Sequence, residues 1–189
     1  MTRTMHVTMK IISGLFLFFL SANLHAQTQA PASGKILAPA YAKAAKEKKN
    51  VIIIFHASWC GWCHKMDAAI EDPTCKPLFD ANYVIAHLDI DEKTDKKHLE
   101  NKGADLVRKK YHGSEETGLP FWVIVDKTGK LLGDSYIRKE GQSLDTPGQN
   151  IGCPAEDEEV AAFIVLLKKT SRLTEEQLSV IGERFKKNK

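Results

Sequence analysis

The stretch VIIIFHASWCGWCH, Val51 to His64, decides how this chain folds and raises the question of what it does. Val51 to Phe55 is a continuous apolar run without alternation, which is typical of a strand covered on both faces in the middle of an α/β sheet. Directly after it, Cys60 and Cys63 form a C-x-x-C pair that opens a predicted helix. The same residues fit either a redox-active dithiol or, with His64, the attachment motif of a c-type haem.

The rest of the sequence predicts helices and strands in alternation around this strand. Helical periodicity covers residues 36–49, 95–111 and 156–169, and strand composition covers 83–89, 121–125 and 131–137. A further helix begins at a capping box, Thr174 to Gln177, and residues 138–154 are predicted to be a loop. The buried side of the helix at 95–111 is expected to consist of Leu99, Leu106, Val107 and Tyr111. We therefore expect an α/β fold, with a central mixed sheet flanked by helices and extra helices at the N- and C-terminal ends.

The N-terminus has the composition of a secretory signal peptide. Arg3 and Lys10 precede a short apolar run from Ile11 to Leu20, and Ala26 provides a small residue at the expected cleavage site. This run is well short of the ~20 residues that a membrane-spanning helix needs. We therefore expect a signal peptide at 1–26, a linker at 27–35, a domain at 36–189, and an exported protein, periplasmic or secreted, without stable membrane insertion.

The charge pattern argues against a nucleic-acid partner. The 27 Lys and Arg residues are nearly balanced by 24 Asp and Glu residues. The basic clusters at 43–49, 93–97 and 108–110 alternate with acidic and apolar residues at helical spacing, which predicts solvated helix faces.

The position of the cysteine pair favours the dithiol chemistry. A redox dithiol needs one activated cysteine and a second close enough to displace the mixed disulfide. At the start of a helix, the free N–H groups and the positive end of the helix dipole favour the thiolate of Cys60. Cys63 follows one turn later on nearly the same side and further inside.

The sequence also resembles the thioredoxin superfamily. Phe55 to His64 is similar to the active-site run of that family, and Gly118-Leu119-Pro120, directly before a predicted strand, looks like its cis-proline loop. The resemblance extends over residues 36–169. The export signal and the N-terminal helix are similar to those of secreted thioredoxin-like proteins of bacterial envelopes.

The resemblance implies a role for each residue of these motifs. Cys60 would attack and Cys63 would resolve. The residues expected to bind substrate are Trp59, Gly61, Trp62, Leu119 and Pro120. Leu119 and Pro120 would present main-chain groups to the substrate, and Trp59 would shape the rim of the groove.

The chain departs from thioredoxin at two positions. Ile54 stands where thioredoxin has a buried aspartate, so Cys63 must lose its proton by another route. Trp62 replaces a proline that helps to set the redox potential.

Other uses of the cysteine pair fit the sequence less well than a dithiol. A haem would require His64 as its ligand, which fits poorly with a preceding buried strand. A zinc site or an inactive fold would also be compatible with the cysteine spacing. We expect no cofactor and no metal. His64 is expected at the surface, either as a plain surface residue of the active-site helix or as one that modulates Cys60, and His56 is expected to pack near the rim.

The remaining cysteines, Cys75 and Cys153, are expected to stay unbridged. Cys153 should lie at the rim of the substrate groove and Cys75 towards the far end of the active-site helix. A disulfide needs Cα atoms within about 7 Å, which these placements do not allow. Cys153 is either a plain packed thiol or an auxiliary thiol that reaches a substrate held at Cys60.

The sequence therefore predicts an exported thiol:disulfide oxidoreductase that acts on protein disulfides or thiols, with reduction or isomerisation favoured over oxidation. Its second partner is expected to be an electron-transfer protein, membrane-bound or soluble. The competing hypothesis is a non-catalytic module that binds polypeptides in the groove beside Pro120.

Overall fold

The computed structural model describes residues 29–139 and 141–189, so the predicted signal peptide at 1–26 lies outside the described residues. The principal elements, in chain order, are α1 (Ser33–Glu47), β1 (Asn50–His56), α2 (Gly61–Ile70), α3 (Lys76–Asn82), β2 (Tyr83–Asp89), α4 (Ala104–Lys110), β3 (Phe121–Val125), β4 (Leu131–Asp134), β5 (Tyr136–Ile137), β6 (Gln149–Asn150), α5 (Asp157–Thr170) and α6 (Glu175–Phe185). Short 3₁₀ turns cover Thr94–Leu99, Glu115–Thr117 and Lys186–Asn188.

Strand β1 lies in the interior of a four-stranded sheet with the order β2-β1-β3-β4. It pairs with β2 in parallel and with β3 in antiparallel register, so Ile54 lies opposite both His87 and Trp122. Val51 to Phe55 are at most 1% exposed. The prediction of a central strand covered on both faces is confirmed, as is the mixed sheet flanked by helices.

Two layers of helices cover the two faces of the sheet. On one face, Ile52 and Ile54 pack against α2, α3, α5 and α6 in a core that contains Met66, Phe79 and Phe163. On the other face, Val51, Ile53 and Phe55 pack against α1 and α4. This division follows from the alternation of side chains along a strand. The active-site helix α2 therefore lies on the same face as Ile54.

The C-terminal helix is fixed to the rest of the domain near its C-terminal end. The predicted capping box at its start is confirmed, because Thr174 accepts a hydrogen bond from the N–H of Gln177 and the Gln177 side chain accepts one in return. Near the other end, Arg184 donates to Asp72 across 2.7 Å, and Lys65 of α2 donates to the main-chain oxygen of Asn188. None of the helices in the described ranges is both long enough and apolar enough to cross a membrane.

The prediction of one helix over 95–111 is wrong. A 3₁₀ turn ends at Leu99, and α4 begins only at Ala104, after Gly103 with a φ of +84°. Asn101 is buried in the break, where its side chain accepts from the N–H of Asp89 and donates to the oxygen of Pro31. One bond ties the chain to the end of β2 and the other to the segment before α1, so Asn101 is held outside a continuous helix.

The burial predicted for this segment is right for Tyr111, which is buried, and partly right for Leu99 and Val107, which are partly buried, but it is wrong at two positions of α4. Leu106, predicted to be buried, is 66% exposed, whereas Arg108, predicted to be solvated, is 1% exposed. Arg108 is accommodated because it forms an ion pair with Asp91, as a buried charge requires.

The strand predicted over 131–137 is also interrupted. β4 ends at Asp134, and the strand residues that follow pair with β6 instead, inside the segment predicted to be a loop. Ser135 lies between β4 and β5, where the chain leaves the four-stranded sheet. Its N–H donates to the main-chain oxygen of Trp122, and its main-chain oxygen accepts from the N–H of Ile151. Helix α3, between α2 and β2, was not predicted.

Candidate active site

The cysteine pair lies where β1 ends and α2 begins. Cys60 is the N-cap of α2, and its Sγ accepts a hydrogen bond from the N–H of Cys63 at 3.1 Å. The two sulfur atoms form a disulfide, with their Cα atoms 5.2 Å apart. Cys60 is 3% exposed and Cys63 is fully buried. The deeper position of Cys63 is the one expected of a cysteine that resolves rather than attacks.

The predicted cis-proline loop faces the disulfide. Leu119 packs against Ala57, Cys60 and Cys63, and the peptide bond between Leu119 and Pro120 is cis. The side chain of Asn150, on β6, donates to the main-chain oxygens of Thr117 at 3.0 Å and Pro120 at 3.1 Å. Strand β6 therefore positions this loop, a function for Asn150 that the sequence did not reveal.

Two tryptophans flank the disulfide and remain half exposed. Trp59 is 48% and Trp62 is 47% exposed, although large aromatic side chains are usually buried. Trp62 lines a groove of about 390 Å³ together with Leu119 and Cys153. Trp59 lines a second groove of about 410 Å³ on the other side of Leu119. The five predicted substrate-binding residues thus lie around one site, with Gly61 exposed at the start of α2 and Pro120 buried beneath the loop.

The loop after β2 holds the residues just before Cys60. Trp59 Nε1 donates to the main-chain oxygen of Asp91 at 2.9 Å. Ser58 donates from both N and Oγ to the carboxylate of Glu92, which is 3% exposed. Arg108 in turn forms an ion pair with Asp91.

Sequence reasoning missed Asp91, Glu92 and Arg108. A signal was present for the two acids, because they follow the carboxyl end of β2, the strand parallel to β1. Carboxyl ends of neighbouring parallel strands meet at one edge of a sheet, where ligands commonly bind.

The two histidines near the motif have different surroundings. His64 is exposed, as predicted, and its Nε2 lies 3.1 Å from the main-chain oxygen of Ser58. His56 is half-buried at the end of β1, where its ring contacts that of His87. Throughout the two described ranges, no three His, Cys, Asp or Glu side chains converge so as to hold a metal ion.

The other two cysteines are unbridged, as predicted, and both are buried. Cys75 lies in the core beneath α2 and α3, fully buried. Cys153 lines the groove beside Trp62, and its Sγ lies 3.2 Å from Nδ2 of Asn188, which donates to it. Burial raises the pKa of the Cys153 thiol to about 12. At neutral pH this thiol is therefore protonated and a poor nucleophile.

Comparison with known proteins gives one match to a protein family. Residues 35–127 match the family described as thioredoxin-like. A search of curated proteins gave no significant match.

Solved structures give weaker similarities. A disulphide isomerase from Xylella fastidiosa Temecula1 is 18% identical with a TM-score of 0.45, covering 62% of this chain and 79% of that one. A structure titled DsbH Oxidoreductase is 19% identical with a TM-score of 0.44, covering 75% of this chain and 88% of that one. A thioredoxin from Thermus thermophilus is 21% identical with a TM-score of 0.38, covering 64% of this chain and 78% of that one.

The family match contains β1, the C-x-x-C pair, β2, the Leu119–Pro120 loop and β3. The same residues form the sheet with the order β2-β1-β3-β4 except for β4, and they contain the Cys60–Cys63 disulfide. The match to the thioredoxin-like family and the mixed four-stranded sheet flanked by helices together show that residues 35–127 have a thioredoxin-like fold.

Proposed function

We propose that this protein is an exported thiol:disulfide oxidoreductase that acts on polypeptides through Cys60 and Cys63. The observation that carries the proposal is the disulfide at the N-terminus of α2, opposite Leu119 and between two half-exposed tryptophans. The helix N-terminus supplies N–H groups and a positive potential that stabilise the Cys60 thiolate.

In the proposed reaction, the reduced protein attacks a substrate disulfide. The Cys60 thiolate bonds to one substrate sulfur while the substrate S–S bond breaks, and the other substrate sulfur leaves as a thiolate. Cys63 then loses its proton and attacks Cys60, which releases the first substrate sulfur. The substrate disulfide is reduced and the Cys60–Cys63 dithiol is oxidised.

We favour reduction or isomerisation over oxidation as the physiological direction. A strong oxidant needs a strongly stabilised reduced form. Among the described residues, the only hydrogen bond to Cys60 Sγ comes from the N–H of Cys63, which belongs to the helix itself. A reductase must be reduced again after each turnover, and we assign that step to an electron-transfer partner, membrane-bound or soluble.

The substrate is expected to be an extended polypeptide segment. Grooves lie on both sides of Leu119, and an exposed tryptophan borders each of them. Gly61, Leu119 and Pro120 would contact the segment beside the disulfide. Export rests on the signal-peptide pattern at 1–26 and would deliver the domain that follows to the periplasm or the medium. The linker predicted at 27–35 overlaps the first turn of α1, which begins at Ser33.

Trapping of reaction partners tests the proposal. Cys63→Ser should leave Cys60 able to attack but unable to be released, so envelope proteins should accumulate on it as reducible high-mass species. Cys60→Ser is the matched control and should trap nothing. Equal trapping by both variants would show that the roles are assigned wrongly.

The competing function is a non-catalytic module that binds polypeptides in the same grooves. Alkylation kinetics of the reduced protein separates the two functions. An active dithiol gives a fast reaction at Cys60 with an apparent pKa below the ordinary thiol value, whereas a structural pair gives a slow reaction with an ordinary pKa.

A further inference from the structure

Four titratable side chains meet between the sheet and α2. The rings of His56 and His87 lie 4.9 Å apart, centroid to centroid. His87 Nε2 lies 2.9 Å from Asp67 Oδ1, and His56 Nε2 lies 3.2 Å from Asp89 Oδ1. We refer to His56, His87, Asp67 and Asp89 as the histidine cluster.

The cluster lies on the side of the sheet that faces the active-site helix. His56 lies two residues after Ile54 on β1, so both side chains are on the same face of the sheet. Ile54 belongs to the core formed with α2. Asp67 follows Cys63 by one helical turn, so the two side chains point to the same side of α2. Ala57, the residue after His56, contacts both cysteines.

One nitrogen in the cluster is unsatisfied. His56 Nε2 is inaccessible to solvent and has no hydrogen-bonding partner among the described residues. The nearby Asp89 oxygen is close in distance but not aligned with the ring. Buried polar atoms are normally paired, so an unpaired nitrogen indicates a strained or functional group.

Resolution of a mixed disulfide at Cys60 requires a group that accepts the proton of Cys63. Cys63 is fully buried, and a buried thiol resists ionisation because the thiolate is poorly solvated. Ile54, fully buried in β1, provides no carboxylate to take the proton.

We propose that His56, held by the histidine cluster, accepts the proton of Cys63 when Cys63 resolves a mixed disulfide at Cys60. This inference rests on the proposed function and names the proton acceptor of its second step. The Cys63 S–H bond breaks, the proton passes to the His56 ring directly or through one water molecule, and the Cys63 sulfur bonds to Cys60 as the bond from Cys60 to the substrate breaks. The substrate leaves as a thiolate, which takes up a proton from solvent.

The charges around His56 suit this function. His87 and Asp89 face it from β2, Asp67 from α2, and Glu92 from the loop after β2. Burial and the neighbouring His87 lower the pKa of His56, which keeps the ring neutral at pH 7 but weakens it as a base, whereas the acidic groups act in the opposite direction and favour the protonated ring. Asp89 lies in position to stabilise the ring once it is protonated. His87, partly exposed and bonded to Asp67, connects the cluster to solvent.

Single-turnover reaction with 5,5′-dithiobis(2-nitrobenzoate) tests the assignment, because each of the two steps releases one coloured thiolate. The first release reports attack by Cys60 and the second reports resolution by Cys63. In His56→Gln the first release should keep its rate, and the second should slow at pH 7 by about 100-fold, the typical contribution of a positioned proton acceptor. The second rate in the variant should then rise with pH, without the inflection from the His56 ring that the unmodified protein shows at acidic pH.

A control variant and an NMR titration complete the test. His98→Gln, in the 3₁₀ turn at Thr94–Leu99 and outside the histidine cluster, is the matched control and should change neither release. If His56→Gln does not fold, NMR titration of the unmodified protein replaces it, and the His56 titration should differ between the dithiol and disulfide forms. Identical pH profiles of the second release, or identical ring titrations, would overturn the inference. Loss of the first release from the unmodified protein would instead contradict the proposed function.

Discussion

The carboxylate of Glu92 accepts two hydrogen bonds from Ser58, one from its main-chain N at 2.6 Å and one from its Oγ at 2.9 Å. Ser58 lies two residues before Cys60, so this buried acid fixes the path of the chain into α2. Trp59 is held beside it by the main-chain oxygen of Asp91. The surface around the disulfide is therefore preorganised by the loop that follows β2.

Removal of this carboxylate should destabilise the protein. Glu92→Ala leaves the N–H of Ser58 without its partner, and we expect a loss of about 2–3 kcal/mol in the free energy of unfolding, as for other charge-assisted hydrogen bonds. Glu92→Gln keeps one acceptor oxygen and should lose less. Urea unfolding measures both, with exposed Glu116→Gln as a control expected to stay within ~0.5 kcal/mol of the unmodified protein. Equal stability of Glu92→Ala and the unmodified protein would contradict the assigned contacts.

Trp62 should contribute to the binding of polypeptides but not to the chemistry. Its exposed ring borders the groove beside Cys153, where an apolar substrate side chain can pack. We expect Trp62→Ala to raise KM for a protein disulfide about 10-fold, within the range of an aromatic contact residue. Reaction with a small aliphatic disulfide should be unchanged.

Val165→Ala is the control for this prediction. It removes an exposed apolar side chain of α5 that lines neither groove beside the disulfide. An equal loss with both substrates would assign Trp62 to the chemistry instead.

The Cys153 thiol predicts a dependence of stability on alkaline pH. Burial raises the pKa of Cys153 from 9.0 to about 12, so between these values the folded state keeps a proton that the unfolded state has lost. The free energy of unfolding should therefore fall as pH rises from about 9 towards 12, and this group should contribute no pH dependence at neutral pH. Unfolding of Cys153→Ala under reducing conditions should show a shallower fall over the same window. Superimposable curves for the two proteins would contradict a buried neutral thiol.

The C-x-x-C-H motif should not carry haem. Cys60 and Cys63 are joined to each other, Cys63 is buried, and His64 lies at the surface against Ser58. Protein produced in cells with a working cytochrome c maturation system should show no Soret band, whereas a c-type cytochrome produced in the same cells should show one. A covalently bound haem in the purified protein would contradict the dithiol assignment.

The sequence by itself determined the elements whose signals are local. The unbroken apolar run of Val51 to Phe55 predicted a strand covered on both faces, and the capping box at Thr174 predicted where α6 begins. The bounds of β2 and β3 were predicted to the residue. In each case the pattern of neighbouring residues is sufficient, because burial of a strand or capping of a helix is recorded in consecutive side chains.

Only the tertiary structure decided which polar residues are buried and what they contact. Arg108 resembles a solvated lysine in sequence, yet it is buried because Asp91, 17 residues earlier, meets it. Glu92 accepts hydrogen bonds from Ser58, 34 residues earlier in the chain. A buried polar group is stable only when a partner is supplied, and in this protein the partners come from distant segments. No local pattern records them, so the contacts that shape the site are fixed when the sheet and helices assemble.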